Sequence, residues 1–189
     1  MAANIAIIEL NGAAPGTGTD KTSGTVRFKN ADDATVDLNN PLVVPSSDTE
    51  YSYAKILRLQ DLGDLYTQIS NIRCYTDGAG FQLGSPTAAK VWATTDSVYT
   101  APYVPTETND PPLWSSDGAA GSPQVTMVDL FTYTSGSPLD MDAYFAGPFT
   151  PGSPAEYIGD FLVMVGEIEV GGTQGLLTAE TLTFAWDEI

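Results

Sequence analysis

The sequence predicts an all-β protein, a β-sandwich or jelly-roll-like arrangement of antiparallel sheets with long loops rich in proline and glycine and very little helix. Two observations support this. Short runs of alternating apolar and polar residues, rich in β-branched and aromatic types, recur along the chain. Polar turns and long stretches of glycine, proline and small residues separate these runs. At 189 residues, the chain is expected to fold as a single domain, residues 1–189.

The clearest strand pair is predicted within residues 51–80. Residues 51–60 and residues 69–76 each alternate with a period of two, and a short connection containing glycine separates them. We therefore predict that the two runs pair as an antiparallel hairpin in the middle of a sheet. The second run contains Cys74, the one cysteine of the chain. An internal disulfide is thus excluded, and we expect Cys74 to be a small buried hydrophobic side chain.

Further strands are expected before and after this pair. The chain begins with one, around residues 5–8. The continuous apolar run at residues 161–165 is too short for a typical buried helix, so we expect a strand covered on both faces. Residues 135–154 are predicted to be loop. Shorter alternating runs predict the remaining strands, at residues 25–29, 34–38, 42–44, 90–95, 124–132 and 181–186.

Two other segments lack any periodic pattern. Residues 11–24 are rich in glycine, alanine and threonine, and we predict a flexible arm. Residues 101–121 contain several prolines, which lack the N–H that a strand ladder requires. We predict a long irregular loop there, anchored by Tyr103, Leu113 and Trp114. Loops of this length in compact domains tend to be functional, so these three are the predicted partner-binding residues.

The charge of the chain is strongly acidic and unevenly distributed. There are 24 acidic and 7 basic residues, a formal net charge of −17. All seven basic residues lie in residues 1–90 together with ten acidic ones, whereas residues 91–189 contain fourteen acidic residues and no basic one. Such a charge repels nucleic acid and anionic membranes, so neither is an expected partner. It permits a basic protein partner, divalent cations or a salty medium, and it also fits simple solubility.

The residue types of common catalytic sites are missing or sparse. Without histidine and with one cysteine, Ser-His-Asp catalysis, Cys-His catalysis and thiolate metal clusters are excluded. A carboxylate pair is the remaining option, because Glu167 and Glu169 on one face of a strand would lie roughly 6.5–7 Å apart. Alternation of glutamate with isoleucine and valine is also typical of a solvent-facing strand. We expect such an exposed face, no catalytic residue and no enzymatic activity.

Two kinds of binding site need separate consideration. Several aspartates beside turns could supply oxygen ligands to Ca²⁺, although turn formation is their expected role. They are Asp77, Asp140, Asp142 and Asp160. Trp92, Trp114 and Trp186 could form a sugar platform, but Trp92 and Trp186 lie in predicted strands, so we expect both in the core. No metal or cofactor site is predicted.

Two parts of the chain resemble a known class of protein. The runs SYAKILRL, YTQISNIRCYTDG and KVWATTDSVY lie within residues 52–99, and GDFLVMVGEIEV and GLLTAETLTFAWDEI lie within residues 159–189. Together they resemble small β-sandwich virion proteins predicted in the genomes of tailed bacteriophages. The resemblance covers less than half of the chain and consists of strand patterns rather than catalytic signatures.

The resemblance implies a structural role on the virus particle, as a head decoration (cement) protein or another accessory coat protein of the capsid surface. Its implied partner is the major capsid protein or another virion protein. Proteins of this kind commonly form trimers, so a homo-oligomer is expected, and no catalytic residue or cofactor carries over. The alternative function is a carbohydrate- or Ca²⁺-binding β-sandwich module of a phage tail or fibre.

Overall fold

Antiparallel strands make up nearly all of the regular structure. The computed structural model describes residues 3–35, 39–63, 66–81, 89–105, 111–115, 124–151, 156–172 and 179–189. Within these residues there are twelve β-strands, one 3-10 turn at Leu130–Thr132 and no α-helix. The strands are β1 (Ile5–Asn11), β2 (Thr17–Asp20), β3 (Thr49–Tyr51), β4 (Lys55–Asp61), β5 (Ile69–Tyr75), β6 (Ala89–Asp96), β7 (Leu113–Ser115), β8 (Gln124–Thr126), β9 (Val128–Asp129), β10 (Leu139–Asp140), β11 (Glu156–Glu169) and β12 (Thr183–Glu188). The predicted all-β class is confirmed.

The largest sheet is built around β11, a strand of 14 residues. Its strand order is β2-β1-β4-β11-β6-β9, and β3 pairs with β11 beyond the end of β4. Most of β11 is buried, including all of residues 161–165, which confirms the predicted strand with two covered faces. Its register against β4 shifts between Ile158 and Leu162, which marks a bulge containing Gly159 and Asp160.

A second sheet of three strands, in the order β10-β5-β12, packs on one face of the large sheet. Leu57 and Leu59 of β4 share an apolar cluster with Ile72 and Cys74 of β5, and we call this cluster the inter-sheet core. Cys74 is fully buried in it, as predicted, and burial raises the pKa of its thiol. Two stacked sheets with a shared apolar interior form a β-sandwich.

The opposite face of the large sheet is covered as well. A second apolar cluster, which we call the outer core, includes Ile8 of β1, Ile56 of β4 and Val163 of β11. Trp114 from the two-stranded ribbon of β7 and β8 and Met127, which follows that ribbon, pack on this face. The alternating residues of β1 and β4 are therefore apolar on both faces, because each face lies against its own core.

The predicted hairpin within residues 51–80 is wrong in its pairing. Both runs contain strands, but β4 lies between β1 and β11 in the large sheet, whereas β5 lies between β10 and β12 in the second sheet. The connection after β4 therefore crosses from one sheet to the other. Alternation reports how the side chains of a strand are divided between two faces, and it carries no information about which strand lies beside it.

The predicted flexible arm also needs correction. Within residues 11–24, Thr17–Asp20 form β2, which pairs with β1 and leaves its own side chains exposed. A strand on the edge of a sheet can be held by its backbone hydrogen bonds, so β2 needs no apolar alternation. The ring of Tyr99 packs on Gly16, and the Tyr99 hydroxyl donates a hydrogen bond to the Gly12 carbonyl at 2.7 Å.

Several shorter predictions differ from the structure. Residues 25–29 and 42–44 form no strand, and Val26 and Phe28 instead pack on the inter-sheet core from irregular backbone. Residues 36–38 of the predicted strand at 34–38 lie outside the described residues.

Other predicted segments match the structure wholly or in part. The run at residues 124–132 is divided among β8, β9 and the 3-10 turn. Residues 90–95 and 181–186 correspond to β6 and β12, and residues 135–154 contain only the short strand β10 among their described part. No described segment forms a helix with the length and apolar character required to span a bilayer.

Candidate functional site

The three predicted partner-binding residues lie over the outer core. The Trp114 side chain is only 1% exposed, and its ring stacks on that of Tyr103 with centroids 4.6 Å apart. Its Nε1–H donates a hydrogen bond to Asp96 Oδ2 at 2.8 Å, and Ser115 N–H donates one to the Tyr103 hydroxyl at 2.8 Å. Anchoring of this segment by its aromatic residues is therefore confirmed. Contact of Tyr103, Leu113 or Trp114 with a partner stays a prediction, and Trp114 offers almost no surface for it.

The glutamate pair of β11 is held by a lysine. Lys90 Nζ lies 2.7 Å from Glu169 Oε1 and 3.3 Å from Glu167 Oε1, and the Trp92 indole donates a hydrogen bond to Glu167. Burial opposes the charge of Lys90, but the bonds to Glu169 and Glu167 outweigh it and raise the Lys90 pKa. Glu167 is buried, so the predicted exposed face is wrong at this position. The register of β6 against β11 is the cause, because it places Lys90 directly opposite Glu167.

A second charged cluster joins β1 and β4 to the segment at residues 21–35. Glu9 is buried between Lys55 Nζ at 3.1 Å and Lys21 Nζ at 3.4 Å. Lys55 also donates a hydrogen bond to the Asp33 carbonyl at 2.9 Å, while the Asp33 carboxylate pairs with Lys29. Hydrogen bonds from Lys29 and then Thr35 lower the pKa of Asp33 well below its usual value. The lysines thus tie an irregular segment to the sheet.

The aspartates considered as Ca²⁺ ligands act mainly on the local backbone. Asp140 Oδ1 accepts a hydrogen bond from Asp142 N–H at 3.0 Å, and Asp77 Oδ1 accepts one from Ala79 N–H at 2.8 Å. These are bonds of turn-forming aspartates, as expected. Burial and then the hydrogen bond with Asp140 raise the pKa of Asp142. Among the residues the structure describes, no group of three or more acidic, histidine or cysteine side chains converges as a metal site would require.

Asp160 organises an exposed loop at residues 141–147, which we call the aromatic loop. Its carboxylate is buried in the bulge of β11 and accepts hydrogen bonds from Tyr144 N–H at 3.1 Å and Phe145 N–H at 2.9 Å. Asp160 N–H donates in turn to the Met141 carbonyl at 2.6 Å. Burial raises the pKa of Asp160 despite these bonds.

The side chains of this loop project outward over a buried guanidinium. Tyr144 is 59% exposed and Phe145 is 41% exposed. Beneath Phe145, the Arg58 guanidinium lies 5.2 Å from its ring centroid and 4.3 Å from that of Phe161. Arg58 Nε–H also donates to the Gly159 carbonyl at 3.0 Å, and burial lowers the Arg58 pKa from its usual value. The loop backbone and the cation that supports it are thus both fixed from below.

Sequence reasoning missed the aromatic loop. Residues 135–154 contain too much proline and glycine to show a period, so the segment was predicted as loop without a role. The available signal was the pair of adjacent aromatic residues, Tyr144 and Phe145, inside such a loop. The tryptophans carried the sugar-platform hypothesis instead. Trp92 is buried and Trp186 packs on the inter-sheet core, both as predicted, and Trp114 is buried as well.

The chain was compared with protein-family models, curated proteins and solved structures, and no match was found in any of the three.

Proposed function

We propose that this protein is a non-enzymatic structural component of a tailed-bacteriophage particle, a decoration (cement) protein that binds and stabilises the lattice of the major capsid protein. The resemblance of residues 52–99 and 159–189 to virion β-sandwich proteins motivates this proposal. An all-β sandwich with a double-faced central sheet is compatible with such a role. In this proposal the protein acts at the capsid surface as a homo-oligomer, with a trimer as the expected state.

The observation that carries the non-enzymatic part is the engagement of the charged residues that a catalytic site would need. The carboxylate pair of Glu167 and Glu169 is spanned by Lys90 and capped by the Trp92 indole. Glu9 is likewise held by lysines from two segments. A general acid or base must have a proton to exchange with a substrate. Groups held in this way serve better as ties between strands than as reactants.

Incorporation into particles tests the proposal. Particles of a phage that encodes this chain are purified on a density gradient, and the protein is expected to sediment with them in a copy number that fits the capsid symmetry. The purified protein should also rebind to capsids that lack it, and sedimentation velocity should give a trimer. Absence from purified particles together with failure to rebind would overturn the virion assignment.

The contribution of the segment at residues 101–115 needs a modified probe. Trp114 is buried, so Trp114→Ala would report on stability rather than on a contact surface. Leu113 is partly exposed beside it. Leu113→Ser is therefore the better variant for rebinding, and unchanged rebinding would exclude this side chain from the capsid contact.

Carbohydrate binding is a second candidate, favoured by the exposed aromatic rings of Tyr144 and Phe145 near Asp140 and Asp142. Aromatic faces and carboxylate acceptors are the groups that sugars contact. A glycan array probed with the purified protein tests this function. A signal that is lost in Tyr144→Ala would support it, and an array without signal would count against it.

A further inference from the structure

We propose that the aromatic loop is a docking site for a basic protein surface, one that presents lysine or arginine together with apolar side chains. This inference rests on the proposed function in one respect, because it identifies the surface with which the protein would hold a neighbouring virion protein. It is argued below from the order of the loop, its exposure and its charge.

The loop is held in one conformation before any partner arrives. Asp160 binds the backbone of Tyr144 and Phe145 from inside the bulge, and its own N–H is bonded to the Met141 carbonyl. Arg58 supports the Phe145 ring from below. A binding segment that is already ordered loses little conformational entropy on association, so more of its contact energy appears as affinity.

The two side chains carried by this fixed backbone are those of a binding hot spot. Tyr144 and Phe145 are the exposed large aromatic residues of the described chain, whereas the other strongly exposed apolar residues are aliphatic. Examples are Val98, at 56% exposed, and Val170, at 53%. Single exposed aliphatic residues are ordinary, but rigid aromatic residues in adjacent positions are typical of the anchors that dominate protein interfaces.

The charge around the loop selects a basic partner. Asp140 is exposed and Asp142 is partly exposed at the start of the loop. Arg58, the neighbouring cation, is packed against three aromatic rings and bonded to the Gly159 carbonyl. A lysine or arginine of the partner could lie over the Tyr144 face and pair with these carboxylates at once.

The same features fit a protein better than a sugar. Both oxygens of Asp160 already accept backbone hydrogen bonds, so they offer little to a hydroxyl group of a ligand. Phe145 has no polar atom to contribute. An apolar side chain beside a cation uses both the aromatic faces and the acidic rim, which is the combination that the loop presents.

Titration with defined peptides tests the site. The ¹⁵N-labelled protein is titrated with the pentapeptide acetyl-Lys-Leu-Lys-Leu-Lys-amide, with its glutamate counterpart, and with a version in which glycine replaces leucine. We expect the lysine-leucine peptide to bind most tightly and to shift the amide signals of residues 140–147 more than any others. The glutamate peptide should not bind, and the glycine version should bind more weakly.

Matched variants separate the site from general attraction to an acidic protein. Tyr144→Ala combined with Phe145→Ala should weaken binding of the lysine-leucine peptide by about tenfold or more. Val98→Ala combined with Val170→Ala removes exposed apolar surface elsewhere and should leave the affinity unchanged. Tyr144→Ala alone covers the case in which loss of Phe145 disturbs Arg58, and it should still weaken binding several-fold. Shifts spread evenly over the surface, or equal affinity in all variants, would overturn the docking site.

Two further results keep this inference apart from the proposed function. Capsid rebinding that survives in the Tyr144→Ala and Phe145→Ala variant would remove the docking site and leave the virion role. Localised peptide binding by a protein that is absent from particles would leave the docking site and remove the virion role. A glycan signal that depends on Tyr144, with no localised peptide binding, would replace the basic protein surface with a carbohydrate.

Discussion

Asp160 illustrates how a single buried carboxylate can organise a surface. It orders the aromatic loop through two backbone N–H groups, and burial nevertheless raises its pKa above the ordinary value of 3.8. The groups that face it are Arg58, which favours its charge, and Asp140, which opposes it. The charged form is thus less favourable in the folded protein than in the unfolded chain, so the cost of burial exceeds the gain from the hydrogen bonds.

This raised pKa predicts a pH dependence for Asp160→Asn. The folded protein binds the Asp160 proton more tightly than the unfolded chain does, so this residue lowers the free energy of unfolding as pH rises from about 3.8 through its folded pKa. The difference in free energy of unfolding between wild type and Asp160→Asn should therefore shift in favour of the variant over that range. Urea denaturation at a series of pH values measures it.

Asp187→Asn is the control for this experiment, with the opposite sign. Hydrogen bonds from Asn71 and the charge of Arg73 lower the pKa of the exposed Asp187, so its contribution is present above about 3.8 and is lost as pH falls. A difference between wild type and Asp160→Asn that does not change with pH would contradict the raised pKa of Asp160.

Trp114 gives a second prediction at the level of one residue. Trp114→Phe keeps an aromatic ring against Tyr103 but removes the N–H that Asp96 accepts, so a buried carboxylate oxygen loses a donor. We expect a loss of about 1–3 kcal/mol in the free energy of unfolding, and about 3–5 kcal/mol for Trp114→Ala. Urea denaturation followed by circular dichroism provides the measurement.

The matched change for Trp114 is Trp186→Phe. Trp186 is partly exposed at the edge of the inter-sheet core, so the same replacement of ring should cost less there. If the two phenylalanine variants lose equal stability, the hydrogen bond to Asp96 contributes nothing measurable.

At the level of elements, the sequence identified strands more reliably than their neighbours. The apolar run at residues 161–165 predicted the most buried part of β11 because that information lies in the run itself. The pairing of β4 with β1 and β11 depends on residues far away in the chain, and no pattern within residues 51–80 encodes it. The outer core was invisible for the same reason, since Trp114 and Met127 cover β4 from distant segments.

The burial of Glu167 has a similar cause. Its alternation with Ile168 is that of an exposed strand, and only the register with β6 brings Lys90 and Trp92 onto its carboxylate. For the candidate site, composition predicted an acidic protein suited to a basic partner. It did not locate the aromatic loop, because that loop depends on the bulge in β11 at Asp160.

Gly166 provides the prediction that belongs to the elements. It lies in β11 where Phe28 crosses the sheet, and a Cβ at this position would lie 2.8 Å from both Cβ and Cγ of Phe28. Gly166→Ala must displace the segment at residues 25–29 or strain the strand, so we expect a loss of about 1–3 kcal/mol in the free energy of unfolding. Gly136→Ala is the control, because the nearest atom to its Cβ would be 4.0 Å away. Equal stability of the two variants in urea would contradict this close approach.

At the level of the whole molecule, the distribution of the basic residues defines the surface. Six of the seven are engaged within the fold, and Arg27 is the exposed one outside this set. The lysines bind carboxylates or carbonyl groups of neighbouring segments, and Arg58 lies under Phe145. The field outside the protein is therefore set mainly by acidic residues, more strongly than the ratio of charges alone would indicate. A partner that brings its own positive charge would relieve this repulsion.

The same distribution predicts that salt stabilises the isolated protein. With a net charge of −17, repulsion among exposed carboxylates opposes the folded state, and added ions screen it over about 10 Å at 0.1 M ionic strength. The free energy of unfolding in urea should therefore rise between about 0.01 and 0.5 M sodium chloride, because the buried ion pairs of Glu9 and Glu167 are screened much less. A variant combining Asp48→Asn, Asp77→Asn and Glu156→Gln should be more stable at low salt and respond less to it. Stability that falls with added salt in both proteins would mean that attraction between the internal charges outweighs surface repulsion.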